Sequence, residues 1–304
     1  MQEQTLDRLI RIGLKAVVLG SAAVAIAYYL NQPDSGPSLV ERQITAGERA
    51  VRSNPTNVEL RLELANVYRA AKKPDQALEQ YKEVLKVESD DATALLGRAE
   101  ILSQEGDLAE ARRSFRTLIG NATGKEYSRV NPQLETAYYG LSVVMLKQHQ
   151  ASAAIHEVRK ALKIEPTDAD AWYLLGRASI ETGSYQTAVN ALRQAVLYVP
   201  GGWCEPYEQL ARAYQAQHRG PQSEYAEAMV QLCEKKPADG TARLEHLTSG
   251  SAAIEAMLGL GMAAETQSQR ARAARWYQKV LAADPKNFNA RNGLARLGVS
   301  VKAG

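Results

Sequence analysis

The chain has 304 residues, 45% hydrophobic and 23% charged, and its 37 basic and 34 acidic side chains leave a formal net charge of +3. This near balance argues against a nucleic-acid-binding chain, whose domains are typically far more basic. A mean hydropathy of −0.34 excludes a protein that crosses a membrane many times. Two cysteines exclude a disulfide scaffold and a multi-cysteine zinc module. Alanine recurs throughout and runs of β-branched residues are scarce, which favours an all-α fold.

An apolar stretch at residues 9–30 predicts one transmembrane helix. No side chain is charged from Ala16 to Leu30, and although this run is short for a bilayer, Lys15 can extend its ammonium group to the interface. Basic residues precede the stretch and none follows it closely. By the positive-inside rule we expect a cytoplasmic N-terminus and an extracytoplasmic remainder, in the periplasm or at the cell exterior.

Two further features of this segment concern its packing in the membrane and its cleavage. Small residues form a stripe that could pack against another membrane helix, although small residues are also common in membrane helices generally: Ala16, Gly20, Ala23 and Ala27. The alternative to an uncleaved anchor is a signal peptide cleaved after Ala27, since residues 25–27 have the required small-x-small form. We therefore assign residues 1–31 to the cytoplasmic tip and anchor, 32–37 to a linker, and 38–304 to a folded domain.

The folded domain contains a unit that recurs about every 34 residues. The clearest copy spans residues 168–200 and carries the spaced residues Trp172, Leu175, Gly176, Gly183, Tyr185, Ala188, Ala195 and Pro200. This pattern resembles the tetratricopeptide repeat (TPR), a pair of antiparallel helices. The resemblance implies an all-α fold: a right-handed α-solenoid, or TPR superhelix, in which stacked pairs bury the apolar faces that one pair leaves open.

The same frame places six units along the chain. We expect them near 58–91, 92–134, 135–168, 169–203, 204–253 and 254–287, flanked by half-units at 38–55 and 288–300. The second and fifth units are longer than the family period. The extra residues of the fifth, 238–252, are expected to form an additional contact or a mobile loop.

In the family, the first helix of each pair lines a concave wall that binds extended peptides or partner helices. Carried over to this sequence, the resemblance places ten residues on that wall: Leu62, Asn66, Arg69, Leu96, Glu100, Tyr139, Val143, Tyr173, Arg177 and Arg212. Leu62 stands where members that clamp a C-terminal carboxylate carry a lysine, which argues against such a clamp. The two tyrosines and Arg177 favour an apolar or aromatic segment as ligand. The alternative is that some of the ten pack between repeats.

Two side-chain groups outside the wall are also candidates. Arg270, Arg272, Arg275 and Lys279 cluster on one predicted helix, as a solvated face or as a contact with a membrane surface or an acidic partner. Cys204 and Cys233 lie at ends of two helices that antiparallel packing brings together, so a disulfide is possible and two free thiols are the alternative.

No pattern of catalytic, cofactor-binding or metal-ligating residues stands out, so we expect no enzyme activity, cofactor, small-molecule substrate or nucleic-acid partner. The sequence predicts a membrane-anchored scaffold or adaptor that binds protein partners, as an assembly factor or accessory subunit of a membrane or extracytoplasmic complex. The alternative is an N-terminally anchored receptor for client proteins with its solenoid in the cytosol.

Overall fold

The computed structural model describes residues 38–125, 128–199, 202–234 and 237–299. Within these ranges there are fifteen α-helices, one 3₁₀ turn at Ser128–Val130, and no strand, which confirms the all-α prediction. The α-helices are α1 (Leu39–Ser53), α2 (Val58–Ala70), α3 (Pro74–Val87), α4 (Ala92–Glu105), α5 (Leu108–Ala122), α6 (Pro132–Lys147), α7 (Ala151–Ile164), α8 (Ala169–Glu181), α9 (Tyr185–Tyr198), α10 (Glu205–Ala216), α11 (Gly220–Cys233), α12 (Pro237–His246), α13 (Ala253–Thr266), α14 (Arg270–Ala283) and α15 (Phe288–Arg296).

The loops between pairs carry the residues that start the next first helix. The Asp91 carboxylate accepts a hydrogen bond from the backbone N–H of Ala94 at 2.7 Å, at the start of α4. Asn131 does the same for the first turn of α6, where Pro132 needs no hydrogen-bond acceptor because it lacks an N–H. Because the first N–H groups of a helix have no partner within it, these caps set where each helix begins.

Large side chains of second helices pack onto glycines of first helices. A methyl group on Gly140 of α6 would lie 2.6 Å from Cε1 of Phe115 on α5, and one on Gly176 of α8 would lie 2.5 Å from Cγ of Leu192 on α9. Both large side chains are fully buried. Burial of each contributes about 1.5–3 kcal/mol. The glycines let the helix axes come close enough to exclude water from the contact.

The first helices of the first five pairs form one continuous row. Helix α2 contacts α4, α4 contacts α6, α6 contacts α8, and α8 contacts α10, in addition to the contacts between neighbours along the chain. Because the inner helices of a curved stack approach each other more closely than the outer ones, these first helices line the concave side. We call their exposed face the first-helix wall.

Helix α12 interrupts the alternation of first and second helices. It occupies most of the extra segment of the fifth unit, and its Leu244 is fully buried, so this segment forms a packed helix and not a mobile loop. Helix α12 packs against both α11 and α13, while α13 also contacts α11 and α15. Closely spaced alternate helices beyond this point are therefore α11, α13 and α15, so this row joins the second helix α11 of the fifth pair to the first helices α13 and α15.

The predicted anchor at 9–30, its small-residue stripe, the linker at 32–37 and Pro200 lie outside the described residues. Among the helices that the structure describes, none combines the length and the apolar character needed to cross a membrane.

Candidate functional site

The N-terminal end of the first-helix wall is held by contacts within the protein. Arg69 on α2 forms an ion pair with Glu100 on α4, and Asn66 accepts a hydrogen bond from the hydroxyl of Tyr81 at 2.8 Å. The ion pair joins adjacent pairs, whereas the hydrogen bond holds α2 and α3 together within one pair. The predicted residues lie on the wall, but their polar groups already have partners.

The apolar residues predicted for the wall belong largely to the packing between repeats. Leu62 packs against the core around α2 and α3, and Leu96 and Val143 pack against the core of the following pairs. All three are half-buried. They form the floor of the wall, so the interpretation as inter-repeat packing fits them better than a role as exposed anchors.

The middle of the wall contains acidic groups around Tyr139. Burial raises the pKa of Tyr139 to about 12, and the negative charges of Asp170, Asp168 and Glu135 act in the same direction, while Arg177 opposes them. The phenol therefore stays protonated over the physiological range. It can donate a hydrogen bond to a ligand, whereas a phenolate could not.

Glu135 lies one helical turn before Tyr139 on α6. Burial raises the pKa of Glu135 to about 7, with further contributions from the charge of Asp168 and from a hydrogen bond that protonated Glu135 makes to it. As a carboxylate, Glu135 leaves its Oε1 buried without a hydrogen-bond partner. Asp168 meanwhile caps α8, accepting hydrogen bonds from the N–H groups of Asp170 and Ala171. The Glu135 proton thus links α6 to the start of α8.

The C-terminal part of the wall is an aromatic and cationic surface. The ring centroids of Tyr173 and Trp203 are 5.0 Å apart in an edge-on arrangement, and the Arg177 guanidinium lies 5.7 Å from the Tyr173 centroid. Burial raises the pKa of Tyr173, and the positive charges of Arg177 and Arg212 oppose that shift. Both arginines are exposed. The structure therefore places Arg177 against Tyr173, with the charge of Arg212 close enough to act on Tyr173 and the charge of Arg177 close enough to act on Tyr139.

Sequence reasoning missed three residues of this surface: Trp203, Glu135 and Asp168. Trp203 lies in the loop between pairs, just before α10. A large aromatic side chain in a loop, outside any helical pattern, is a sequence signal for a binding residue. Glu135 stands four residues before Tyr139, a spacing that puts both on one helix face. Asp168 was recognisable as a helix cap, but its proximity to Glu135 comes only from the stacking of α8 on α6.

The two cysteines lie together at one end of a helix pair. Cys204 is the N-cap residue of α10 and Cys233 is the last residue of α11. Burial raises the pKa of Cys233 to about 12, and the nearby Cys204 thiol acts in the same direction. The structure holds both as free thiols. The expected proximity is observed, and the disulfide itself stays a prediction.

The basic cluster on α14 is engaged mainly within the protein. Arg270 donates a hydrogen bond from Nε to the carbonyl of Leu297 at 3.0 Å, and Arg272 pairs with Glu245 at 2.9 Å. The ammonium group of Lys279 lies 4.3 Å from the Trp276 ring centroid. This geometry favours a solvated face over a membrane or acidic-partner contact. In the part of the chain that the structure describes, no group of three or more His, Cys, Asp or Glu side chains is arranged to hold a metal ion.

Comparison with known families finds tetratricopeptide repeats along most of this wall. One tetratricopeptide repeat model matches residues 62–126 and 248–298, and a second matches residues 145–214. Together the two cover more than half of the chain, and both fall on the helix pairs described above.

Individual relatives are more distant. The small glutamine-rich tetratricopeptide repeat-containing protein 2 of Mycosarcoma maydis is 31% identical over 101 residues, which are 33% of this chain and 28% of that protein. This chain therefore spans under a third of that relative's length.

Two solved structures share the fold. A MamA fragment from Desulfovibrio magneticus RS-1 has a TM-score of 0.52 and 21% identity, over 59% of this chain and 95% of the fragment. YrrB, a TPR protein with an unusual peptide-binding site, has a TM-score of 0.53 and 18% identity, over 66% of this chain and 98% of YrrB. At such identities the likeness concerns the fold alone.

Proposed function

Because this chain is a tetratricopeptide repeat protein, we propose that it is a membrane-anchored scaffold that holds a protein partner on the first-helix wall. The family is one of protein–protein interaction modules. The anchor, the particular surface used and the role as an assembly factor or accessory subunit are parts of this proposal.

One observation carries the choice of surface: Tyr173, Arg177 and Trp203 lie together on the C-terminal part of the wall, and the charge of Arg177 also acts on Tyr139 in its middle. Tyrosine, tryptophan and arginine are the residues that dominate binding energy in protein interfaces, because they offer large rigid surfaces and several hydrogen-bond donors. The exposed guanidinium groups of Arg177 and Arg212 can bind a carboxylate or backbone carbonyls. The surface therefore suits an apolar or aromatic segment that carries acceptors beside its anchor residue.

The apolar segment at 9–30 supports the membrane part of the proposal. Its basic residues lie on the N-terminal side, which favours a cytoplasmic N-terminus and an extracytoplasmic solenoid. A receptor with the solenoid in the cytosol is the second candidate, because an N-terminal anchor with preceding basic residues is compatible with it too. Protease protection of residues 60–300 in intact cells would support the first topology, and digestion of that region would support the second.

The wall assignment is tested by purifying the full chain from native membranes and mapping its partners by crosslinking mass spectrometry. We expect crosslinks around Tyr139 and Tyr173, and loss of capture when these two and Arg177 are replaced together by alanine. Arg159→Ala, an exposed change on α7, is the matched control and should leave capture intact. If the triple variant melts like the wild type and still captures its partner, the wall is not the binding surface. Crosslinks confined to residues 9–30 would indicate a subunit held by its anchor.

A further inference from the structure

The shift of the alternation at α12 is accompanied by a second cleft, which we call the second-helix cleft because the second helices α9 and α11 contribute to its lining. This second-helix cleft has a volume of about 300 Å³, at the lower end of ligand-pocket volumes. Its lining side chains come from α9, α10, α11, α13 and the start of α15, and include Asn190, Gln194, Leu197, Leu258, Phe288 and Asn289. Regular TPR stacking would keep helices so far apart in sequence away from each other. The cleft therefore depends on α12.

The large apolar side chains of the cleft are partly exposed to solvent. Phe288 is 52% exposed, and Leu197 and Leu258 are half-buried around it. Covering this area would remove apolar surface from water, at about 25 cal/mol for each Å². A ligand with one large apolar side chain matches this part of the cleft.

Two carboxamides in the cleft have unused hydrogen-bonding capacity. Gln194 on α9 and Asn289 on α15 are half-buried and make no hydrogen bond to any residue that the structure describes. Each carboxamide offers a carbonyl acceptor and an NH₂ donor, the same pair of functions as a peptide group. An extended peptide backbone presents both N–H donors and carbonyl acceptors, so it can bond to both functions of a carboxamide. A charged side chain presents only donors or only acceptors.

The cleft has little net charge to offer a ligand. Arg193 on α9 and Glu255 on α13 lie across it with Nη2 and Oε1 3.7 Å apart. This ion pair joins the two helices, and its opposite charges cancel. Charge complementarity therefore favours a neutral ligand over an acidic or basic one.

We propose that the second-helix cleft binds an extended, uncharged peptide segment of a partner protein, with one large apolar side chain against Phe288 and Leu258. The backbone of that segment bonds to Gln194 and Asn289. None of the residues that line the cleft is among the ten predicted for the first-helix wall, so the scaffold can hold two segments at once.

The test uses the full chain and a bead library of random nonapeptides with acetylated and amidated ends, and affinities of the enriched peptides are measured by fluorescence polarisation. We expect enriched peptides with a central Leu, Phe, Tyr or Trp between neutral residues. The double variant Gln194→Ala/Asn289→Ala should weaken their binding at least tenfold, as expected for two lost hydrogen bonds. Gln76→Ala, an exposed glutamine on α3, is the matched control and should change nothing.

The wall triple variant separates this proposal from the proposed function. Peptides of this cleft should bind that variant normally, whatever happens to the partner held on the wall. Enriched peptides that keep their affinity for the double variant, enrichment of charged peptides, or no enrichment at all would overturn the proposal. So would a dimer of this chain that the double variant abolishes, because the occupant would then be a second copy.

Discussion

The ring of Tyr81 lies directly across Gly97, so that a methyl group on the glycine would be 2.7 Å from Cε2 of the tyrosine. Tyr81 comes from α3 and is fully buried, while its hydroxyl reaches past α4 to Asn66 on α2. One side chain of a second helix thus sets the distance between two first helices and fixes a polar group on the wall.

Gly97→Ala should destabilise the protein by about 1–3 kcal/mol, because the added methyl group overpacks this contact. Thermal unfolding followed by circular dichroism measures the effect. Gly120→Ala on α5 is the control, since a methyl group there meets nothing within 4 Å, and alanine should stabilise the helix by about 0.5–1 kcal/mol. Equal melting temperatures for the two variants would contradict the importance of the Tyr81 contact.

Glu135 should make stability depend on pH in a defined window. Its pKa rises from 4.5 to about 7 on folding, so the folded state binds more protons between these values and stability falls as pH increases through them. Glu135→Gln stays neutral and should therefore melt higher than the wild type at pH 8, with little difference at pH 4.5. Because Glu135 is only half-buried, solvent screening limits the gain to roughly 1 kcal/mol.

The exposed Glu105→Gln is the matched control for this measurement. Its melting temperature, relative to the wild type, should not change across the same pH range. A constant offset for Glu135→Gln as well would show that the proton shared with Asp168 does not control the α6–α8 contact.

The two cysteines should form a disulfide under oxidising conditions, since they lie at adjoining ends of α10 and α11 and Cys204 contributes to the raised pKa of Cys233. After treatment with diamide, the denatured and unreduced protein should show no free thiol, and its melting temperature should rise. Closing this loop of about 30 residues stabilises by about 3.6 kcal/mol if the geometry is relaxed. The raised pKa of Cys233 predicts faster oxidation as pH increases. Two thiols remaining after oxidation would contradict the pairing, and Cys204→Ser should be inert.

Arg270→Ala should loosen the C-terminal helix. Its guanidinium donates hydrogen bonds to the carbonyl of Leu297 at the end of α15, and removal leaves that carbonyl without its partner at a cost of about 1 kcal/mol. Amide hydrogen exchange in α15 should accelerate. The control Arg275→Ala changes an exposed arginine on α14, the helix that also carries Arg270, and should leave exchange in α15 unaltered. Equal acceleration in both variants would contradict a specific role of Arg270 at the end of α15.

Much of the helical organisation is readable from local residues. The recurring small and aromatic positions indicate the pairs, and capping residues such as Asp91 and Asn131 mark where helices start. The wall was harder to predict. Tyr173 and Arg177 meet as their spacing indicates, whereas the ion pair of Arg69 with Glu100 depends on how one pair sits on the next. Side-chain rotamers and inter-pair angles decide such contacts, and neither is encoded within one repeat.

By itself the amino-acid sequence determined that this protein is a stack of tetratricopeptide helix pairs, because the residue types of each repeat and the helix caps can be read along the chain without its tertiary contacts. Only the tertiary structure showed that α12 shifts the alternation by one helix. Helix α12 packs into the stack because its Leu244 is buried. In the cleft that accompanies this shift, Arg193 lies 3.7 Å from Glu255, which is 62 residues away in the sequence. The physical reason is that the direction in which a stack curves is set by the sum of its packing contacts, and the burial of one additional helix changes which helices supply them.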